Sequence, residues 1–224
     1  MTLQNTLDNF KAKFEAGAAP WNVSPSVIET MRRATAELKA TGQAERAKKV
    51  GDKAPTFVLM DPEGNDVSSE VLRKQGPLII SFYRGAWCPY CNMELQALQA
   101  ALPQFEKLGA NLVAISPQTA ANSRKSTKQN NLSFPILSDV KGKVGEAFGL
   151  KFKLPNYLIE VYENFKNDLP TFNDDPEWTL PMPARYVIGQ DGIILYAEVN
   201  PDYTQRPEPT DMLPAISQAT QVAA

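Results

Sequence analysis

An unbroken apolar run, Pro77-Leu78-Ile79-Ile80-Ser81-Phe82-Tyr83, leads within a few residues into Trp87-Cys88-Pro89-Tyr90-Cys91. A run of that kind marks a strand buried on both faces. From Pro89 onward Leu95, Leu98, Leu102, Phe105 and Leu108 recur at helical spacing, with Pro103 expected to kink the helix. Proline is favoured at the first position of a helix. The order is therefore strand, cysteine pair, helix, which sets Cys88 near the N-cap and Cys91 in the first turn.

The same alternation extends in both directions. Ala54 to Leu59 reads as a short strand and Asp61-Pro62-Glu63-Gly64 as a turn. Asn111 to Ser116 is a second buried strand, 119–131 a helix, Phe134 to Leu137 a strand, and Val144 to Phe148 a short helix closed by Gly149. Arg185 to Ile188 and Ile193 to Tyr196 flank Gly189-Gln190-Asp191-Gly192 and read as a β-hairpin. A last helix is expected from Pro209 to about Thr220. Such alternation implies an α/β fold with right-handed crossovers in a partly parallel sheet.

Two regions stand outside it. Residues 1–48 read as a helical arm preceding a domain over 49–224. Leu3, Leu7, Phe10 and Phe14 make one apolar face; Val27, Met31, Ala34 and Leu38 make another, after Ser24-Pro25 and before Gly42. Stripes of this kind usually mark packing faces. Residues 151–182 hold an amphipathic piece around Tyr157, Val161 and Phe165 and then a Pro/Asp-rich loop. A long loop inside a compact domain is often functional or interfacial.

Composition narrows the chemistry by exclusion. The 224 residues contain no histidine, which removes Ser-His and Cys-His hydrolase mechanisms, histidine acid–base catalysis and most transition-metal sites. A net charge of −2 without a dense basic run gives no nucleic-acid surface. No stretch approaches the roughly 18 apolar residues of a membrane span, and the N-terminus lacks a signal-peptide core, so a cytoplasmic location is expected. No Gly-rich phosphate loop implies an organic cofactor, and none is expected.

Only two cysteines are present, three positions apart. Helix N-termini stabilise a thiolate, through free N–H groups and the macrodipole, below its free pKa near 8.5. The spacing lets the second sulfur resolve a mixed disulfide or a sulfenic acid on the first. Arg84 adds positive charge four residues upstream. A structural disulfide across so short a loop removes little unfolded-state entropy. A zinc half-site needs two further ligands, which only a second subunit offers; no metal is expected. Two inert buried cysteines fit the strand–CxxC–helix setting poorly. Redox chemistry is the expectation.

From Gly51-Asp52-Lys53-Ala54-Pro55, through Ser81-Phe82-Tyr83-Arg84-Gly85-Ala86-Trp87-Cys88-Pro89-Tyr90-Cys91-Asn92-Met93-Glu94-Leu95 and Ala114-Ile115-Ser116-Pro117-Gln118, to Phe134-Pro135-Ile136-Leu137-Ser138-Asp139 and Pro183-Ala184-Arg185-Tyr186-Val187-Ile188, the chain resembles the peroxiredoxin-like (AhpC/TSA, redoxin) branch of the thioredoxin superfamily. The resemblance covers about residues 50–200. It implies a thioredoxin-like fold, a central mixed sheet flanked by helices, here with an N-terminal helical extension. It implies reduction of hydrogen peroxide or organic hydroperoxides, with thioredoxin, glutaredoxin or glutathione as reductant, and a homodimer. The chain departs from the family's Pro-x-x-x-Thr-x-x-Cys motif: Arg84 stands at the proline and Cys88 at the threonine, and the attacking cysteine aligns with Cys91. Thioredoxin-like geometry instead favours Cys88 as an exposed nucleophile, with Pro183 resembling the cis-proline of dithiol reductases. Arg185 lies near the position of the family's peroxide-binding arginine but not in register with it. Tyr83 and Trp87 are expected to line the site. The rival expectations are a protein dithiol–disulfide oxidoreductase and a non-enzymatic redox-sensing dimer. Asp202, Tyr203 and Arg206 form a polar cluster without an assigned role.

Overall fold

A computed structural model describes residues 2–222. Seven strands form one mixed sheet: β1 (Val58–Met60), β2 (Asp66–Ser68), β3 (Leu78–Phe82), β4 (Asn111–Ser116), β5 (Ile136–Ser138), β8 (Ala184–Ile188) and β9 (Ile194–Val199), in the order β2-β1-β5-β4-β3-β8-β9. The central β5-β4-β3 block is parallel, and β8 joins β3 antiparallel with Phe82 opposite Ala184 and Ser81 opposite Arg185. The hairpin at Gly189–Gly192 delivers β9 onto β8. This is the expected thioredoxin-like architecture.

Alternate residues of a strand point to opposite faces, and β3 divides two cores accordingly. Ile79 and Tyr83 face a core shared with α1 (Leu3–Glu15) and α5 (Pro89–Lys107), which supplies Leu95, Leu98 and Phe105. Leu78, Ile80 and Phe82 face a second core with Phe148, Leu150 and Tyr186. Both cysteines lie on the α5 side.

Several expectations shift in detail. The first strand is shorter and later than Ala54 to Leu59, and a second strand, β2, pairs with it. Helix α4 (Ser69–Gln75) follows β2, capped by Ser68; its polar sequence gave no periodic signal. Helix α5 continues through Pro103 to Lys107. After α6 (Ala120–Gln129) and α7 (Lys143–Ala147), the region 151–182 is more ordered than a loop. There β6 (Lys151–Lys153) pairs antiparallel with β7 (Thr179–Pro181), and α8 (Asn156–Asn164) and α9 (Leu169–Asn173) lie between them. Short polar strands carry too little apolar periodicity to be read from sequence alone.

The arm folds as helices α1, α2 (Pro25–Ala40) and the single turn α3 (Gln43–Arg46). Ser24 caps α2 and Pro25 opens it. Leu3 and Leu7 are buried against α5, while Val27, Met31 and Ala34 pack on α8 in a third cluster around Leu158, Tyr162 and Leu169. A 3₁₀ turn at Pro209–Met212 leads into α10 (Leu213–Val222). No helix among the described residues is long and apolar enough to cross a membrane.

Candidate active site

Cys88 is the N-cap of α5, with extended backbone angles (φ −90°, ψ 111°), and Pro89 opens the helix. The Cys91 backbone N–H donates to Cys88 Sγ at 3.4 Å, as an N-cap acceptor requires. The two sulfurs lie near 2.9 Å apart without a bond. Both are fully buried. The expectation of an exposed first cysteine is therefore corrected: Arg84, Trp87, Tyr162 and Tyr203 cover it.

Arg84 is the centre of that cover. One guanidinium nitrogen donates to Cys88 Sγ at 3.2 Å and another to the Tyr162 hydroxyl at 2.9 Å. Its carbon stands 3.7 Å over the Tyr203 ring and 5.0 Å from the Trp87 ring. Only 5% of Arg84 is exposed, its Nε has no partner, and no carboxylate pairs with it among the described residues. The thiolate of Cys88 is the anion it faces.

The two thiols consequently separate. Burial raises the Cys88 pKa, but the Cys91 thiol, the Arg84 charge and hydrogen bond, and the Cys91 amide outweigh it, bringing Cys88 down to about 5. Burial raises Cys91, and so do its hydrogen bond to Cys88 and the neighbouring negative charge, so it stays well above the ordinary thiol range. One sulfur is ionised and the other holds a proton.

The loop that presents them is tied down. Gly85 has φ +149°, and a Cβ there would come within 2.6 Å of the Trp87 indole, so only glycine fits. The Ala86 N–H donates to Gln118, and Gln118 donates to the Tyr83 hydroxyl at 2.7 Å. Asn92 donates to the Ala86 carbonyl. Tyr83 is wholly buried behind the thiols, and burial raises its pKa.

Arg185 lies elsewhere than expected. It is fully buried, 3.1 Å from Glu94, and donates to the Pro207 carbonyl; Arg206 donates to the other Glu94 oxygen. Arg185 thus joins a carboxylate rather than the thiols, while the Arg206 charge lowers the Cys91 pKa. Pro183 is buried but its peptide bond is trans; the cis bond among the described residues is Ala19–Pro20. The cis-proline expectation is corrected.

Tyr162, Tyr203, Arg206, Glu94 and Gln118 received no role from sequence. Glu94 and Gln118 lie in the stretches that carry the family resemblance, and Tyr203 and Arg206 in the polar cluster, but none of these positions announces its partner. Tyr162 sits on α8, whose register over the site no local pattern reveals. Among the described residues no group of three or more Cys, Asp or Glu side chains is placed to hold a metal.

With this geometry in view, residues 50–197 match the pattern of the AhpC/TSA family. The chain belongs to that family. A Mycobacterium tuberculosis protein named as a peroxiredoxin is 31% identical over 113 residues, half of this chain and 73% of the relative. The thiol-disulfide oxidoreductase ResA of Bacillus thuringiensis is 26% identical over 117 residues, 52% of this chain and 66% of that protein. The crystal structure of peroxidoxin BcpB from M. tuberculosis superposes with a TM-score of 0.60 at 22% identity, covering 79% of this chain and 98% of that one, which shows the shared fold. Both expected enzyme classes, thiol peroxidase and thiol–disulfide oxidoreductase, are represented among the relatives of this AhpC/TSA chain.

Proposed function

We propose that this AhpC/TSA protein is a thiol peroxidase in which Cys88 attacks and Cys91 resolves. The observation that carries the reading is a buried sulfur, the N-cap of α5, with an arginine nitrogen 3.2 Å from it. In the first step the Cys88 thiolate attacks the outer peroxide oxygen, forming an S–O bond as the O–O bond breaks. The leaving alkoxide or hydroxide takes a proton from solvent. Arg84, already beside the sulfur, supplies positive charge where the departing oxygen becomes negative. In the second step the Cys91 sulfur displaces water from the Cys88 sulfenic acid, closing the disulfide and releasing the thiol proton to that water.

Burial favours a peroxide over a protein disulfide. A peroxide presents two oxygens to a covered sulfur and needs only small shifts of the side chains around it, with Arg84 still at hand. A protein disulfide must bring a folded surface within bonding distance of it. Thioredoxin, glutaredoxin or glutathione is the proposed reductant, acting on the oxidised pair, and a cytoplasmic homodimer the proposed form.

Stopped-flow mixing of reduced protein with hydrogen peroxide and with an organic hydroperoxide tests the reading. It requires second-order rates well above those of a free thiolate, with sulfenic acid trapped on Cys88 in Cys91→Ser. Rates at the free-thiolate level for every peroxide, with rapid insulin reduction instead, would establish the oxidoreductase alternative.

A further inference from the structure

Resting on the peroxidase reading, we infer that the N-terminal arm builds a specificity pocket selecting hydroperoxides with a bulky apolar, preferably aromatic, group. A cavity of about 210 Å³ lies under the arm, with Arg84, Trp87 and Pro89 among its lining residues. Trp87 and Pro89 are the chain neighbours of Cys88, and Arg84 touches its sulfur. The far wall comes from Phe10 and Phe14 of α1 and from Trp21, all outside residues 50–197, together with Tyr90, Phe165 and Tyr203.

The chemistry of this wall is one-sided. Phe10 meets Trp21 edge-on at 5.1 Å and Tyr90 at 5.0 Å, Tyr90 meets Tyr203 at 5.6 Å, and Phe14 lies 6.1 Å from Phe165. Such edge-to-face arrangements present ring faces and edges suited to another flat apolar group. Arg84 is the one charged side chain lining the cavity, and its Nε is buried without a partner. An amphiphile with one polar end fits that distribution: the peroxide at Arg84, the apolar group among the rings. Hydrogen peroxide would leave the rings unfilled.

A second cavity of about 200 Å³, between α2 and α8, also reaches Arg84. It includes neither Trp87 nor Pro89, and Glu37 and Lys153 line it. The aromatic cavity is therefore assigned to the substrate. Reaction there follows the balanced course given above: R–O–OH gains two electrons from the dithiol, giving R–OH, water and the Cys88–Cys91 disulfide.

The test compares second-order oxidation rates of cumene hydroperoxide, tert-butyl hydroperoxide and hydrogen peroxide, in the full chain and in Phe14→Ala, Trp21→Ala and Phe165→Ala. The native protein should prefer cumene hydroperoxide over hydrogen peroxide by at least about tenfold, and each substitution should lower that ratio several-fold. Phe14→Leu, which keeps an apolar filling without the ring, should fall between native protein and Phe14→Ala. Thermal unfolding and Cys88 thiolate absorbance identify any variant that fails to fold, and the native selectivity ratio alone still decides. A preference for hydrogen peroxide, or substitutions that leave the ratio unchanged, would overturn the pocket while leaving the peroxidase standing. Free-thiolate rates with all three peroxides would overturn the peroxidase reading itself.

Discussion

Two buried arginine clusters flank the first turns of α5, and they are charged in different ways. On one side Arg185 and Arg206 share Glu94, so two cations hold one fixed carboxylate. On the other Arg84 has no carboxylate and faces a sulfur that titrates. A buried charge is costly unless it is compensated. The Glu94 cluster keeps its anion in every redox state, whereas Arg84 keeps its anion only while Cys88 is a thiolate. Once Cys88 becomes a sulfenic acid or a disulfide, Arg84 loses its partner. A fixed ion-pair cluster of the first kind holds α5, β8 and the 200–208 segment together; the second kind couples an arginine to chemistry.

The contrast can be broken most severely at the sulfur. Cys88→Ser should abolish peroxide turnover while leaving the Glu94 cluster and the fold intact. Cys91→Ser should still consume one equivalent of peroxide and then stop. A steady-state peroxide assay beside mass spectrometry of the trapped sulfenic acid separates the two. Equal residual turnover in both variants would remove the division of labour between them.

Next in size is the fixed anion. Glu94→Gln keeps shape but removes the carboxylate that Arg185 and Arg206 share, a change costing about 3–5 kcal/mol. Denaturant unfolding should show the loss directly. Replacing Arg84 by Met should cost far less stability, because the thiol can neutralise itself by binding a proton. If the two substitutions cost the same, the distinction between the clusters fails.

Sequence made the two clusters unequally visible. Cys88, Cys91 and Arg84 were legible because they lie within a few residues of one another at a strand–helix junction, where local rules apply. Arg185 was noticed but misplaced: β8 sets it beside Ser81 in register, and its guanidinium turns to Glu94 rather than to the thiols. Arg206 reaches Glu94 from 112 residues away, and Tyr162 reaches Arg84 across 78, contacts that no helical or strand period encodes. The sheet was readable for the opposite reason, since β3, β4 and β8 each announce themselves by continuous apolar runs. Burial of the pair escapes local rules because Arg84 with Trp87, Tyr162, and Tyr203 come from three separate segments that converge only in the folded chain.

A smaller effect is the pH dependence of stability. The folded Cys88 pKa, about 5, lies below the unfolded value near 8.5, so between these the unfolded chain binds more protons and stability rises with pH. That contribution is complete above 8.5 and lost as pH falls through 5. Cys91 has the opposite sign: raised in the folded state, its contribution is complete below 8.5 and lost as pH climbs toward its folded value. Reduced protein should therefore show a thiol-dependent stability maximum near pH 8.5. Cys88→Ser should flatten the rising limb, as read by urea midpoints between pH 5 and 9. A limb that survives the substitution assigns it to other groups.

The finest test is the rate effect of Arg84→Met, where two consequences oppose each other. Without the guanidinium the Cys88 pKa should climb from about 5, and a full return to the ordinary 8.5 sets the largest effect. At pH 6 that lowers the thiolate fraction by roughly 300-fold. A more basic thiolate is also a better nucleophile, and a Brønsted slope of about 0.4–0.5 over that interval returns a factor of roughly 40. The net loss at pH 6 should be about tenfold, vanish near pH 7 and turn into a gain at higher pH. Loss confined to low pH would mean that Arg84 acts by ionising the sulfur alone. Loss that persists undiminished at pH 9 would show Arg84 acting chiefly on the departing oxygen, as a fixed cation does, and the contrast with Arg185 would then lie in position rather than in titration.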